Sequence, residues 1–208
     1  PEELEDAYLV KSYVFKNSYL ENLGDGSFKL RTLPMEAQMG PIEGIVINDI
    51  DQDGFEDLVL TGNSYGTDVA TGRYDALMGL VLKGKKDGNF TPLSIEQSGF
   101  LNNFDGSGLA MMKDAFGNLQ IIVANNDGPL KVFRSNLSKS NIIPVSNTDK
   151  SAEVFLKNGK SYKKEFCFGS GYLSQNSRNL FISEEIKEVR VTNVNGQIKI
   201  VYEASKIN

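Results

Sequence analysis

Closely spaced carboxylates are the feature of this sequence best suited to chemistry. Residues 48–58 read Asn-Asp-Ile-Asp-Gln-Asp-Gly-Phe-Glu-Asp-Leu, so aspartates occupy positions 1, 3, 5 and 9 of a nine-residue loop with glycine at position 6. Ca²⁺ takes about six to eight oxygen ligands, and short alternating side chains can bring their oxygens to one point. The pattern predicts a calcium site with these ligands: Asp49, Asp51, Asp53, the backbone carbonyl of Phe55, and Asp57.

Three alternatives to this calcium site have different requirements. An EF-hand loop needs a bidentate Glu at position 12 and a following helix, but position 12 here is Leu60 within an apolar, strand-like run. Mg²⁺ prefers fewer protein ligands and retained waters. An acidic, solvated hairpin turn would need no ion, although four carboxylates this close repel one another without a cation.

An internal repeat provides a comparison for the acidic loop. The segment Leu23–Phe28 recurs as Lys85–Phe90 at a shift of 62, and Gly54–Asn63 matches Gly117–Asn126 at a shift of 63. The counterparts of the four aspartates are Met112, Asp114, Phe116 and Gln120. Because only one acid recurs, the repeat predicts a single calcium ion.

Histidine is absent and Cys167 is the sole cysteine. These counts exclude Ser-His-Asp triads, Cys-His dyads and imidazole zinc ligands. Cys167 is predicted to be a small buried hydrophobe. The Gly-x-Ser-x-Gly run at Gly62–Gly66 resembles a nucleophile elbow, but it lacks a base and a following helix. The sequence therefore favours a protein without catalysis of its own.

The composition is that of a soluble globular protein. The chain has 208 residues, 40% of them hydrophobic and 24% charged, and a net charge of −5. An acidic chain disfavours nucleic acid as a partner. No apolar stretch is long enough to span a membrane, and the first twenty residues do not resemble a signal peptide. Because the chain begins at Pro1, we expect a piece of a longer polypeptide whose export signal has been removed.

Short β-prone runs separated by turn residues predict an all-β fold. Asn-Gly or Asp-Gly pairs, as in Lys86–Gly88, Asn158–Lys160 and Val194–Gln197, are typical of type I′ hairpins. Only Ser183–Lys187 and the first dozen residues suggest a helical turn. Most aromatic residues are predicted to be core rather than a sugar-binding surface, and the basic stretch 160–164 to be the solvated face of a hairpin.

A change in charge indicates two domains. Residues 1–136 contain 11 basic and 20 acidic side chains, whereas residues 137–208 contain 11 basic and 7 acidic ones. The polar segment Ser135–Asn141 is rich in loop-forming residues. The predicted domains are therefore 1–136, a repeat region of about two blades with a period of 62–63, and 137–208.

The acidic loop, its following Leu-Val-Leu strand and the Gly-Asp-Gly-x-Phe hairpin at Gly24–Phe28 resemble FG-GAP/VCBS repeats. These repeats build integrin-α-like β-propellers, in which such a loop holds a structural Ca²⁺. The resemblance implies that Asp49, Asp51, Asp53, Asp57 and the Phe55 carbonyl bind calcium. A closed propeller needs at least four blades, so residues 1–136 would be either the last blades of a larger propeller or a small open sheet assembly that protects its edges differently.

The second domain resembles the ASPIC/UnbV module, which typically follows such repeats in secreted and cell-surface proteins. The resemblance rests on Phe168–Ser177, Asn179–Ile182 and Ile186–Gln197, with Gly171-Tyr-Leu-Ser-Gln175 the most specific part. It implies a small antiparallel β domain after the partial propeller.

Together these features predict a calcium-binding, extracytoplasmic interaction module that is extracellular, at the cell surface or periplasmic. Its partners would be a protein or glycan ligand and the rest of a longer propeller chain, not nucleic acid. Calcium near millimolar outside the cytoplasm would fill even a weak site of this type. The alternative is a polysaccharide-processing or other enzyme whose active centre lies on absent blades or on a partner chain.

Overall fold

A computed structural model describes residue 8 and residues 10–136, 142–169, 171–172 and 174–204. Within these ranges the chain is all-β, as predicted, with one short α-helix, α1 (Ile95–Ser98), and a 3₁₀ helix (Met35–Gln38). No helix in the described ranges is long and apolar enough to cross a bilayer. The strands are β1 (Ser18–Asn22), β2 (Phe28–Thr32), β3 (Ile42–Asn48), β4 (Asp57–Gly62), β5 (Leu80–Gly84), β6 (Phe90–Leu93), β7 (Gly106–Lys113), β8 (Leu119–Asn125), β9 (Lys131–Arg134), β10 (Ile142–Pro144), β11 (Asp149–Leu156), β12 (Ser161–Glu165), β13 (Asn179–Phe181), β14 (Ile186–Asn193) and β15 (Ile198–Glu203).

The chain divides into two compact units, Pro1–Leu33 and Pro34–Asn208. The first unit contains the antiparallel β1–β2 hairpin, in which Leu20 is opposite Leu30. Both leucines are largely exposed.

In its described residues, the second unit contains four antiparallel sheets. Their strand orders are β3-β4-β5-β6, β7-β8-β9, β10-β13 and β12-β11-β14-β15. In the first two sheets each strand pairs with its neighbour in sequence, which is the pattern of a meander. Five-residue hairpin connections join β5 to β6, β7 to β8 and β8 to β9, whereas the longer segment 63–79 joins β4 to β5.

Two hydrophobic clusters can be described within the second unit from the residues that the structure describes. The first combines β3, β4 and β5 residues such as Val46 and Val59 with β7 and β8 residues such as Leu109 and Val123. The second cluster consists mainly of residues from the paired strands β11 and β14, with a contribution from β13. Successive strand residues point to opposite faces, so β13 supplies Phe181 to the first cluster and its neighbour Leu180 to the second.

The predicted boundary at residues 136/137 lies beside residues 137–141, which are outside the described ranges. Described residues on both sides of this boundary belong to the second compact unit. Ile142, just after it, joins the first hydrophobic cluster together with Phe181. The division into two domains therefore stays a prediction. Residues from both sides of the predicted boundary contribute to the first hydrophobic cluster.

Strand positions follow the sequence repeat. β1 and β5 begin 62 residues apart, as do β2 and β6. Asp57 in β4 and Gln120 in β8 are 63 apart, but their cross-strand partners Asn48 and Met112 are 64 apart. The segment between the paired residues Met112 and Gln120 is therefore one residue shorter than the segment between Asn48 and Asp57. By this strand register, the counterpart of Asp49 is Lys113 rather than Met112.

The predicted type I′ turns are wrong in detail. Gly88, Gly159 and Gly196 have positive φ, whereas the preceding Asp or Asn residues do not. Each glycine N–H instead bonds to the carbonyl three residues earlier. A type I turn followed by a left-handed glycine is the alternative hairpin solution when the loop has an additional residue.

Three further expectations are corrected. Ser183–Lys187 is not helical, because β14 begins at Ile186 and pairs with β11. Residues 10–12 are not helical, and residues 1–7 and 9 lie outside the described ranges. Cys167 is exposed in the connection that follows β12. Several aromatic residues predicted to be core are also exposed, including Phe15, Phe28 and Tyr74.

Close packing between the first two sheets depends in part on Gly44 of β3. A Cβ there would lie 2.7 Å from Leu109 Cβ and 2.8 Å from Thr61 Cγ2. Both distances are shorter than van der Waals contact, so a larger residue must separate β3 from β7.

We predict that Gly44→Ala lowers the free energy of unfolding by about 1–3 kcal/mol through overpacking. Gly66→Ala is the matched control, because nothing lies within 4 Å of a Cβ at Gly66. Urea unfolding monitored by circular dichroism would measure both variants. Equal stability of the two variants would contradict the close approach of the sheets.

Candidate metal centre

The acidic loop joins β3 to β4 at one end of their sheet. Asn48, the last residue of β3, is opposite Asp57, the first residue of β4. This pairing brings the two ends of the loop together. The eight residues between them must therefore reverse direction within a short span.

Asp57 anchors the loop to the sheet. Its side chain is buried, and its two carboxylate oxygens accept hydrogen bonds from different segments. Oδ2 accepts from the Ile50 N–H at 2.9 Å, and Oδ1 accepts from the Gly84 N–H of β5 at 2.8 Å. Asp57 thus links the start of the loop to the neighbouring strand.

The other aspartates fold the loop through local hydrogen bonds to the backbone. Asp49 Oδ2 accepts from the Gly54 N–H at 3.0 Å, and Asp53 Oδ1 accepts from the Phe55 N–H at 3.0 Å. Gln52 and Gly54 have positive φ, 64° and 90°, which turns the chain sharply between these carboxylates. The glycine at position 6 is therefore needed for the reversal.

Three of the predicted ligands come together. Carboxylate oxygens of Asp49, Asp51 and Asp57 lie within 4.8 Å of one another. Asp49 Oδ1 is buried and has no hydrogen-bond partner in the described part of the chain. An unpartnered buried carboxylate oxygen loses its hydration without compensation, so this atom has an unused capacity to bind a cation.

Asp53 and Phe55 are placed differently from that trio. The Asp53 carboxylate lies outside it and forms an ion pair with Lys83 Nζ at 3.0 Å. The Phe55 N–H donates to Asp53, and Phe55 lines a cleft beside the loop. The Asp53 carboxylate is therefore not one of the converging three, and binding by the Phe55 carbonyl stays a prediction.

Lys83 of β5 is the residue of this site that the sequence interpretation missed. Its ammonium group pairs with both Asp51 and Asp53 and is itself about one-third exposed. A single lysine within the run Leu80-Val-Leu-Lys-Gly84 is the only signal in the sequence, and it does not reveal the strand pairing that brings Lys83 to the loop. One positive charge therefore already offsets part of the negative charge.

The remaining negative charge perturbs the carboxylates. Burial, together with the charges of Asp53, Asp57 and Asp51, raises the pKa of Asp49 to about 6 despite the hydrogen bond from Gly54. Burial also raises the pKa of Asp57, against the effect of its two N–H bonds. Hydrogen bonds to Asp51 and Asp53 raise the pKa of Lys83. Burial is the larger cause of both carboxyl shifts, and the neighbouring carboxylates add to it.

The second repeat closes its turn without clustered acids. Asp114 accepts hydrogen bonds from the Phe116 and Asn118 N–H groups and from the Asn118 and Gln120 side-chain amides. Gln120 stands at the position of Asp57. Neutral amide donors here satisfy one carboxylate, which agrees with the absence of another candidate metal cluster among the described residues.

The acidic loop also contacts the last four-stranded sheet. Lys164 of β12 forms an ion pair with Glu56 at 2.7 Å. Desolvation and the negative charges of Glu56 and Asp49 raise the pKa of the nearby Tyr162 to about 12. The charge of the acidic loop therefore acts directly on residues of β12 through this contact.

The donor set restricts the metals that could bind. The converging oxygens belong to carboxylates, and the chain has no histidine and one cysteine, which is exposed. Such donors suit hard cations, Ca²⁺ or Mg²⁺, rather than zinc or copper. The unpartnered Asp49 Oδ1 and the surplus charge are consistent with either ion.

Comparisons with known proteins show no family. No protein-family model matches the chain, and no curated protein matches it. A solved structure, virginiamycin B lyase from Staphylococcus aureus, aligns with 81% of this chain at 12% identity and a TM-score of 0.20. The aligned region spans 57% of the lyase, and a TM-score this low carries no argument about fold or function.

The raised pKa of Asp49 predicts a pH-dependent stability of the metal-free protein. A carboxyl whose pKa rises from 3.8 to about 6 on folding destabilises the folded state above pH 6, and this destabilisation disappears as the pH falls below about 4. In chelator, Asp49→Asn should therefore increase the free energy of unfolding relative to the unsubstituted protein, and this increase should be larger at pH 7 than at pH 4. After allowance for solvent screening, we expect the increase to be about 1–2 kcal/mol larger at pH 7.

Asp114→Asn is the control for this measurement. A side-chain hydrogen bond from Asn118 lowers the pKa of Asp114, so its substitution should have the opposite pH dependence. Urea unfolding at the two pH values measures both variants. A difference for Asp49→Asn that does not change with pH would contradict the surplus negative charge.

Proposed function

We propose that this chain is a calcium-binding interaction module of an extracytoplasmic protein, without catalysis of its own. In this proposal the loop between β3 and β4 holds one Ca²⁺. The observation that carries the proposal is the convergence of Asp49, Asp51 and Asp57, whose carboxylate oxygens lie within 4.8 Å of one another, together with the buried Asp49 Oδ1, which has no hydrogen-bond partner among the described residues.

Calcium would act as a structural ion here. The loop already uses N–H groups to hold Asp57 and Asp49, so its backbone is largely arranged for an ion. Bound Ca²⁺ would supply positive charge to oxygens that now repel one another and would satisfy Asp49 Oδ1. It would thereby hold β3, β4 and β5 together at this end of their sheet.

The strand arrangement supports FG-GAP/VCBS-like propeller blades in residues 1–136. The β3-β4-β5-β6 sheet is a four-stranded antiparallel meander, which is the form of one blade. The β7-β8-β9 sheet repeats its first three strands and shares a core with it. Strands β1 and β2 also correspond to β5 and β6, at a spacing of 62 residues. A closed propeller needs at least four blades, so we propose that these blades complete a larger propeller.

Hydrogen bonds to β7 support a structural role for the ASPIC/UnbV-like segment, which follows the proposed blades in the sequence. Ser174 Oγ donates to the Leu109 carbonyl of β7 at 3.0 Å, and Asn176 Oδ1 accepts from the Met111 N–H at 2.7 Å. These bonds place part of the proposed second domain along β7. Ser170 and Leu173 of the same run lie outside the described residues.

An extracytoplasmic location follows from the proposed ion. Weak extracellular calcium modules have dissociation constants of about 10⁻⁴–10⁻³ M, which external calcium concentrations can saturate and cytosolic ones cannot. The proposed partners are a protein or glycan. The absence of histidine supports a binding role rather than a hydrolytic one.

The test of this proposal is thermal unfolding of chelator-treated protein with added Ca²⁺ or Mg²⁺. An ion that binds only the folded state raises Tm; at ten times its dissociation constant it contributes about 1.4 kcal/mol, or about 3–5 °C for a chain of this size. We expect the larger rise with Ca²⁺. Asp49→Ala should remove it, whereas Asp114→Asn should retain it. If Asp49→Ala melted identically to the unsubstituted protein in calcium, the proposal would be wrong.

Lys83 gives a second prediction about the same site. Its ammonium group competes with any other cation for the carboxylates of Asp51 and Asp53. Lys83→Gln should therefore tighten calcium binding by about three- to tenfold, measured by isothermal titration calorimetry at low ionic strength.

Lys85→Gln is the matched control for Lys83→Gln. Lys85 lies in the turn just beyond β5, is exposed, and has no ion pair in the described part of the chain. Removing its charge should change calcium affinity much less. Unchanged or weaker calcium binding by Lys83→Gln would show that the ammonium group supports the ion rather than competes with it.

A further inference from the structure

A cleft of about 820 Å³ lies between the acidic loop and the β11, β12 and β14 strands. This volume is in the range that holds a small-molecule ligand. Its apolar lining comes from the last four-stranded sheet and β13; Val154, Val189 and Phe181 are buried beneath it, whereas Leu156 is partly exposed. The cleft therefore offers an apolar surface to part of a ligand.

Charged groups from two hairpin turns line the same cleft. Lys86 comes from the β5–β6 turn, and Lys160 comes from the β11–β12 turn. Both side chains are exposed, and neither forms a salt bridge or side-chain hydrogen bond within the described ranges. Two lysines from different sheets thus line one cleft, and neither has an ion-pair partner among the described residues.

The other charges of the lining are mostly neutralised by neighbours. Lys164 pairs with Glu56 at 2.7 Å, Lys163 pairs with Glu165 at 2.6 Å, and Asp53 pairs with Lys83. Asp49 accepts a hydrogen bond from the Gly54 N–H and forms no ion pair in the described part of the chain. Glu185 is the remaining carboxylate of the lining, and it is exposed on the rim.

We propose that this cleft binds a small monoanion with an apolar body, of which an aromatic carboxylate is the simplest example. The anionic group would interact with Lys86 and Lys160, and the apolar body would cover Leu156 and its neighbours. A neutral analogue would lose the charge interaction, and a second anionic group would meet the carboxylates of Glu185 and the acidic loop. This ligand site does not depend on a bound metal.

The probe for this proposal is 2-naphthoate, with 2-naphthamide as its neutral analogue. Binding is measured by naphthoate fluorescence anisotropy on the full chain in chelator, so that metal occupancy does not enter the result. We expect saturable binding of one naphthoate per chain and clearly weaker binding of the amide. Absence of saturable naphthoate binding, or equal binding of the amide, would overturn the proposal.

The turns provide matched variants. Lys86→Gln together with Lys160→Gln should weaken naphthoate binding by about tenfold, since each exposed ion pair contributes about 1 kcal/mol at most. Lys85→Gln together with Lys157→Gln removes the same charge from the same two turns, but at residues that do not line the cleft. This control pair should change affinity less than about twofold. Equal losses in the two double variants would mean only general electrostatic attraction.

Two further measurements identify the location of the ligand. Glu185→Gln should tighten naphthoate binding, because it removes the unpaired rim carboxylate. In methyl NMR spectra, naphthoate should shift the resonances of Val154, Leu156 and Val189, with those of Val123 in the other hydrophobic cluster unchanged. Shifts confined to residues away from the cleft, or weaker binding by Glu185→Gln, would overturn the assignment.

Discussion

The buried carboxylate of Asp57 is the contact on which the acidic loop and its sheet depend. It accepts one N–H from the loop at Ile50 and another from β5 at Gly84. A carboxylate that accepts two backbone hydrogen bonds can remain ionised despite burial, because these bonds replace part of its lost hydration. This anchor brings the other aspartates to one place and sets them beside Lys83.

The same arrangement explains why the loop has a surplus of negative charge. Local bonds to Gly54 and Phe55 fold the backbone, but they also direct carboxylates toward one another. Lys83 neutralises only part of this charge, and Asp49 Oδ1 has no partner among the described residues. The loop at Asp114 shows the other solution, in which amide donors surround a single acid. The two turns therefore share a fold but differ in their capacity for a cation.

Packing between the sheets connects this site to the rest of the second unit. Gly44 allows β3 to approach Leu109 of β7, and Phe181 and Leu180 of β13 face different hydrophobic clusters. The Glu56–Lys164 ion pair then places the loop beside β12. The cleft exists because these contacts position two charged turns above an apolar surface. Its properties belong to the assembly of sheets rather than to any one motif.

The local pattern of residues is sufficient to predict the all-β fold, the hairpin positions, the glycine-dependent reversal at Gly54 and the convergence of Asp49, Asp51 and Asp57. Each of these follows from interactions between residues close in the chain, through backbone φ, alternation along strands and short side-chain to backbone bonds. The turn type was wrong at Gly88, Gly159 and Gly196 because it depends on loop length and strand register as well as on residue type.

Tertiary structure alone decided which distant residues share the site. Lys83 reaches the loop through the pairing of β4 with β5, and Lys164 reaches Glu56 across 108 residues of sequence. The exposure of Cys167 and of Phe28 likewise depends on what packs against each segment, which hydrophobicity does not specify. Charge pairing and burial are properties of neighbours in space, so a linear pattern can propose a cation site but cannot determine which charges already occupy it.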